Sequence, residues 1–117
     1  MQLLLVEDDA TMQATLQRSL SRRGMAVTAL ADGRAALAEW RAHPPDAVVL
    51  DLTLPGLDGL ALARQLRAQG FAAPLVAVTA RADADAETLA HAAGFDGFVR
   101  KPVTGEMLAE AIADALV

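Results

Sequence analysis

The sequence predicts an α/β fold in which a parallel five-stranded sheet is covered by helices on both faces. Three observations carry this. Short apolar runs alternate five times with segments of helical periodicity. The runs at 3–6, 47–50 and 75–78 are continuously apolar rather than alternating, as strands buried on both faces must be. Each run ends abruptly in polar or turn-forming residues. For such sheets 2-1-3-4-5 is a common strand order, with right-handed crossovers.

The first strand covers 3–6 and is ended by Glu7-Asp8-Asp9. Over 10–23, Met12, Leu16 and Leu20 recur every fourth residue, with Gln13, Gln17 and Arg18 on other faces. This is an amphipathic helix, stopped by Gly24. Residues 26–30 form a weaker second strand. Asp32 is placed to cap a helix running to Arg41, and His43-Pro44-Pro45 links it to the third strand at 47–50. That strand runs into Asp51, with a Pro55-Gly56 turn just beyond. Asp58 is placed to cap a helix that carries Leu62 and Leu66 and ends at Gly70. The fourth strand, 75–78, is closed by Thr79. An alanine-rich helix over 84–93 stops at Gly94, and a short fifth strand at 96–100 leads to Lys101-Pro102. Thr104 is placed to cap the last helix, with Leu108, Ile112 and Leu116 on one stripe. Trp40 reads as helix packing, and His43 and His91 as surface residues.

With 117 residues and no internal repeat, the chain reads as one domain over 1–117. Its hydrophobic fraction of 54% is high, but no window approaches the roughly 18 apolar residues of a membrane helix, so no membrane insertion is expected. The N-terminus lacks a basic region and a cleavage site, so it reads as neither a signal nor a transit peptide. The absence of cysteine excludes disulfides and thiolate metal sites, and makes the cytoplasm the default compartment. A net charge of −5 argues against direct nucleic acid binding. Lys101 is the only lysine among ten basic residues. A lysine kept in so arginine-biased a chain suggests a position where arginine would not serve.

In a parallel sheet all strand C-termini lie along one edge. That edge gathers Glu7, Asp8 and Asp9, then Asp51, Thr79 and Lys101. Taken singly each has a plain structural reading: Asp8 or Asp9 as a helix cap, Asp51 as a turn former, Thr79 as a strand end, Pro102 as a strand terminator. Together they make a pocket of repelling carboxylates, which a hard divalent cation would relieve. Neither histidine lies at a strand end, which argues against zinc. Mg²⁺ takes one or two carboxylates and keeps several waters. Asp8 and Asp51 could supply the carboxylates, Glu7 could act directly or through water, and the Thr53 carbonyl is a candidate neutral ligand. Lys101 and Thr79 would face an incoming anion. This set suits phosphoryl transfer to a carboxylate, with Asp51 as nucleophile.

The segments Leu5-Val6-Glu7-Asp8-Asp9, Asp51-Leu52-Thr53-Leu54-Pro55-Gly56-Leu57-Asp58-Gly59, Val78-Thr79-Ala80 and Lys101-Pro102 together resemble the receiver domain of two-component response regulators. The resemblance spans essentially the whole chain. It implies a doubly wound (βα)5 flavodoxin-like fold and Mg²⁺-dependent phosphorylation by a partner phosphohistidine. That partner would be a histidine kinase or a histidine phosphotransfer protein. Asp51 takes the phosphoacceptor role. Glu7 and Asp8 match the acidic pair at the metal, Asp8 being the more direct ligand, with the Thr53 carbonyl completing the set. Thr79 matches the switch hydroxyl, Lys101 the lysine that pairs with the phosphoryl group, and the Lys101–Pro102 bond is expected to be cis. Phe98 matches the aromatic switch, whose inward rotation would report phosphorylation on the face of the fourth helix, fifth strand and fifth helix. A homodimer through that face is a further expectation.

Several positions depart from the family's commonest pattern. Phe98 stands where Tyr is frequent, Thr53 where Met or Asn is frequent, and Val103 where Phe is common. Arg81 lies two residues past Thr79, at a position that, with 53, bears on phosphoryl-group lifetime. The run at 93–98 with Lys101-Pro102-Val103 is more similar to receivers attached to hybrid sensor kinases than to those of winged-helix regulators. Three rival readings remain. A phosphatase of the haloacid dehalogenase type wants an acid where Thr53 stands. An FMN-binding domain would place its phosphate against Glu7-Asp8-Asp9. A receiver that signals by binding alone would not need the full acidic, threonine and lysine set.

Overall fold

In a computed structural model, describing residues 1–54, 58–80 and 84–116, apolar runs and helical segments alternate as the sequence predicts. The elements are β1 (Gln2–Val6), α1 (Ala10–Arg22), β2 (Ala26–Leu30), α2 (Ala36–Ala42), β3 (Ala47–Asp51), α3 (Gly59–Ala68), β4 (Leu75–Thr79), α4 (Ala86–Ala92), β5 (Gly97–Arg100) and α5 (Gly105–Ala115). The strands pair in parallel in the order β2-β1-β3-β4-β5. The expected Pro55-Gly56 turn and Arg81 lie outside the described residues.

The two-residue side-chain period of the strands divides the core in two. Leu4, Val6, Val48, Leu50, Leu75 and Ala77 face Leu62 and Leu66 of α3 and Ala90 of α4. Leu3, Leu5, Val49, Val76 and Val78 face Leu16 and Leu20 of α1 and Leu108 and Ile112 of α5. The central strands β3 and β4 are buried throughout, which is why they read as unbroken apolar runs. β2 has a single neighbour and is half exposed, which accounts for its weaker signal.

The caps follow the sequence closely. Asp9, Asp58 and Thr104 side chains accept from the backbone N–H groups of Met12, of Leu60 and Ala61, and of Met107. α1, α3 and α4 stop in the same manner. Met25, Phe71 and Phe95 donate back to the carbonyls of Leu20, Leu66 and Ala90, each bond following a glycine at positive φ. At Gly94 (φ +109°) an added Cβ would also lie 2.7 Å from the Arg67 Cγ, so the glycine serves both the turn and a close approach.

Three details differ from expectation. Asp32 caps a 3-10 turn at Gly33–Ala35, which leads into α2, because its carboxylate accepts from Arg34 two residues on. Asp96 lies just before β5 and uses its side chain instead to accept from Leu75 N–H at 3.0 Å. Leu116 is 52% exposed, and α5 ends one residue before it at Ala115. Trp40 packs edge-on against Phe71, with centroids 5.2 Å apart, and His43 and His91 are exposed.

Candidate phosphoacceptor site

The sheet register brings the polar strand ends together. Val6 pairs with Leu50, Asp51 with Val78, and Thr79 with Arg100. Glu7, Asp51, Thr79 and Lys101 therefore sit along one edge. Asp51 is 1% exposed, Glu7 2% and Thr79 0%, while Asp8 is open to solvent. One carboxylate oxygen from each of Glu7, Asp8 and Asp51 lies within 4.8 Å of the other two.

Lys101 and Thr53 both donate to Asp51. Lys101 Nζ donates to Oδ2 at 2.8 Å, and Oδ1 accepts from Thr53 N–H at 2.8 Å and from Thr53 Oγ1 at 2.7 Å. Lys101 Nζ also lies 3.6 Å from Glu7 Oε1. The Lys101–Pro102 bond is cis, as expected. Around Glu7, the Asp9 N–H donates to its Oε1 at 3.3 Å, and Gln13 Nε2 donates to its backbone carbonyl at 3.0 Å. Phe98 is half-buried against the core that α3 and α4 cover, with the Arg100 guanidinium 5.7 Å from its ring centre.

The residues polarise one another. Burial, and then the hydrogen bond and charge of Asp51, push the Glu7 carboxyl up to about 7. Burial also works against ionising Asp51, but hydrogen bonds from Glu7, Lys101 and Thr53 outweigh it and hold Asp51 below the usual carboxylate range. Burial lowers the Lys101 ammonium, and the Asp51 hydrogen bond and the surrounding acids more than reverse it. Glu7 thus holds its proton more tightly than a free carboxyl and Asp51 less tightly.

This has a measurable consequence in chelator. Glu7 has its folded pKa raised above 4.5, so the stability it contributes is full below about 4.5 and is lost as pH rises through about 7. Asp51, shifted downwards, loses its contribution only as pH falls below its ordinary value of 3.8, outside that window. The melting temperature of Glu7→Gln minus that of the wild type should therefore grow between pH 4.5 and 7 when both are measured in EDTA. A pH-independent difference would contradict the upward shift of Glu7.

Sequence reasoning brought together Glu7, Asp8, Asp51 and Lys101, and the structure does the same. It missed the Thr53 side chain, whose hydroxyl two residues after an Asp is an ordinary turn signal. It also missed Gln13, whose amide lies on the first turn of α1 above Glu7.

A family model of the response regulator receiver domain matches residues 3–113. The chain belongs to that family. Receivers of two-component response regulators are phosphoacceptor switches rather than conventional enzymes, and this one has the acidic pocket of Glu7, Asp8 and Asp51 typical of the phosphoacceptor site. The receiver is 42% identical over 113 residues to the transcriptional regulatory protein CseB of Streptomyces coelicolor, covering 97% of this chain and 48% of that protein. It is 42% identical over 106 residues to the response regulator MprA of Mycolicibacterium vanbaalenii, covering 91% of this chain and 46% of that one. The chain thus spans about half the length of the curated relatives it matches. These relatives are regulators by name, so the leaning of the 93–98 run towards hybrid sensor kinases finds no support in them. Among solved structures, the receiver superposes on a putative response regulator from Chloroflexus aurantiacus with a TM-score of 0.90 at 31% identity, covering 98% of this chain and 96% of that one. A Francisella response regulator receiver domain gives 0.91 at 24% identity, covering 97% and 94%.

Proposed function

We propose that this receiver, a single unit over 1–117, accepts a phosphoryl group from a partner phosphohistidine onto Asp51 and changes its binding face in response. The observation that carries the reading is the buried Asp51 carboxylate, kept ionised by Lys101 and Thr53 beside two further acids. Attack by an Asp51 oxygen on phosphorus forms the acyl phosphate as the P–N bond to the donor breaks, and the electron pair leaves with the imidazole. The donor is a histidine kinase or a histidine phosphotransfer protein, acting in the cytoplasm. Among the described residues no helix is long and apolar enough to cross a membrane.

The donor set fits a hard cation, because Glu7, Asp8 and Asp51 bring three carboxylate oxygens within 4.8 Å of one another and the Asp51 charge pushes the Glu7 carboxyl up. Asp8, Asp51 and the Thr53 carbonyl would hold Mg²⁺, with Glu7 direct or through water. When bound, the ion neutralises charge on the transferring phosphoryl group. Lys101, now on Asp51, would turn to a phosphoryl oxygen. Thr79, at the end of β4 beside it, would follow with its hydroxyl, and the space it leaves would let Phe98 move inward.

The switch half of the reading is tested by amide chemical shifts after treatment with a small phosphodonor and Mg²⁺. Wild type should shift from Asp51 through Phe98 to α4 and α5. Thr79→Ala should take up the phosphoryl group yet lose at least half of the remote shifts. Remote shifts of full size in Thr79→Ala would contradict the role given to the hydroxyl.

A further inference from the structure

A cavity of about 440 Å3 opens at the edge of the sheet opposite the acidic site, between α2 and the start of β1. That volume is in the range of small-molecule sites. α2 is seven residues long and stops at Ala42, and Gln2 and Thr28 beside the cavity are exposed. Pro44 and Pro45 line its outer side. Neither has an N–H to donate and both have a fixed φ, so this wall cannot close by pairing with the sheet. The rim is tied at both ends. His43 N–H donates to Glu39 O at 2.8 Å, Asp46 N–H donates to Gln2 O at 2.7 Å, and Asp46 Oδ2 accepts from Gln2 N–H at 2.6 Å. The cavity is therefore shaped before anything enters it.

Its lining is acidic and rich in acceptors. The Glu39 side chain is 28% exposed, and its ionic partner among the described residues is His43 Nδ1 at 3.4 Å, on a side chain that is 79% exposed. The Thr28 hydroxyl and the Gln2 side-chain amide make no hydrogen bond among the described residues. No described lysine or arginine lines the cavity. Glu39, Thr28 and Gln2 thus each offer a side-chain oxygen, and Ala42, Pro44 and Pro45 offer apolar surface. An ammonium matches this set, having three N–H donors and a positive charge, whereas an anion would be repelled by Glu39. We propose that this cavity binds a small primary amine carried on an apolar body, with the ammonium on Glu39 and the body against Ala42, Pro44 and Pro45. The exposed His43 ring turns outward as the amine takes its place. Gln2 begins β1 and Glu7 follows it, about 17 Å apart by strand rise. The amine site is therefore separate from the acidic pocket and does not depend on the receiver reading.

The test titrates unphosphorylated full chain, without added metal and at fixed ionic strength, with phenethylamine, and follows amide shifts. Its outcome is independent of whether Asp51 accepts a phosphoryl group. Leu4, Thr28 and Ala42 should shift and saturate together, with a Kd of about 1 mM or lower. Glu39→Gln, which keeps the size of the side chain but not its charge, should bind at least fivefold more weakly. Phenethyl alcohol, which lacks the charge, should bind wild type at least fivefold more weakly than the amine does. Glu110→Gln, which makes the same change of charge on α5, should bind the amine as wild type does. Shifts that do not saturate, phenylacetate binding as tightly as the amine, an unchanged Kd in Glu39→Gln, or equal weakening in Glu110→Gln would each overturn the inference.

Discussion

Replacing Lys101 by methionine is expected to destabilise the protein by about 2–4 kcal/mol and to abolish phosphoryl uptake. Its ammonium lies 2.8 Å from the buried Asp51 Oδ2 and 3.6 Å from Glu7 Oε1. Removing one member of a buried ion pair costs about 3–5 kcal/mol, because the remaining charge is left uncompensated. Lys101 is 21% exposed at its side chain, so water recovers part of that loss. Asp51 should also become less acidic, since one of the hydrogen bonds holding it ionised is gone. Urea denaturation reads the first effect and intact mass the second. Lys101→Arg keeps the charge but presents a wider planar fork to a space that a single Nζ fills. Full switching in Lys101→Arg would mean the chain's lone lysine is incidental.

The second large effect concerns Arg67, which is far from the chemistry. Its guanidinium donates to the carbonyls of Phe71 and Ala73 at 2.8 Å, to Gly94 O at 2.8 and 3.0 Å, and to Asp96 Oδ2 at 2.8 Å. Asp96 in turn accepts from Leu75 N–H. One side chain thus joins the end of α3, the loop before β4 and the loop before β5. Arg67→Met leaves three carbonyls and a carboxylate to find water. At about 1 kcal/mol or more for each lost partner, reduced by partial exposure, the expected loss is about 2–4 kcal/mol. Arg67→Lys should recover less than half of it, because one ammonium cannot reach donors' positions spread over a fork. A loss below 0.5 kcal/mol (roughly the ordinary surface value) would show that the network is ornamental to stability.

Arg67 also marks where the sequence stops being informative. The strands were legible because burial on both faces forces continuous apolar runs, and the caps because Asp9, Asp58 and Thr104 act on backbone within three residues. The site was legible for a related reason. An acid or an ammonium at the end of a buried strand has no packing role, and a parallel sheet places all such ends on one edge. Arg67, by contrast, has partners 4 to 29 residues away that are mostly backbone carbonyls, which carry no residue identity. The opposed shifts of Glu7 and Asp51 were equally hidden, since they depend on how deeply each carboxylate sits and on what donates to it. Leu116 misled because its i, i+4 spacing from Ile112 carries the apolar stripe one residue past the end of α5.

The central claim is that Asp51 is the phosphoacceptor. Intact mass after incubation with a small phosphodonor and Mg²⁺ tests it most directly. Wild type should gain the mass of one phosphoryl group, and EDTA should prevent the gain. Asp51→Asn, which keeps the size of the side chain but not its nucleophilic carboxylate, should gain nothing. An unchanged gain in Asp51→Asn, or none in wild type, would contradict the account.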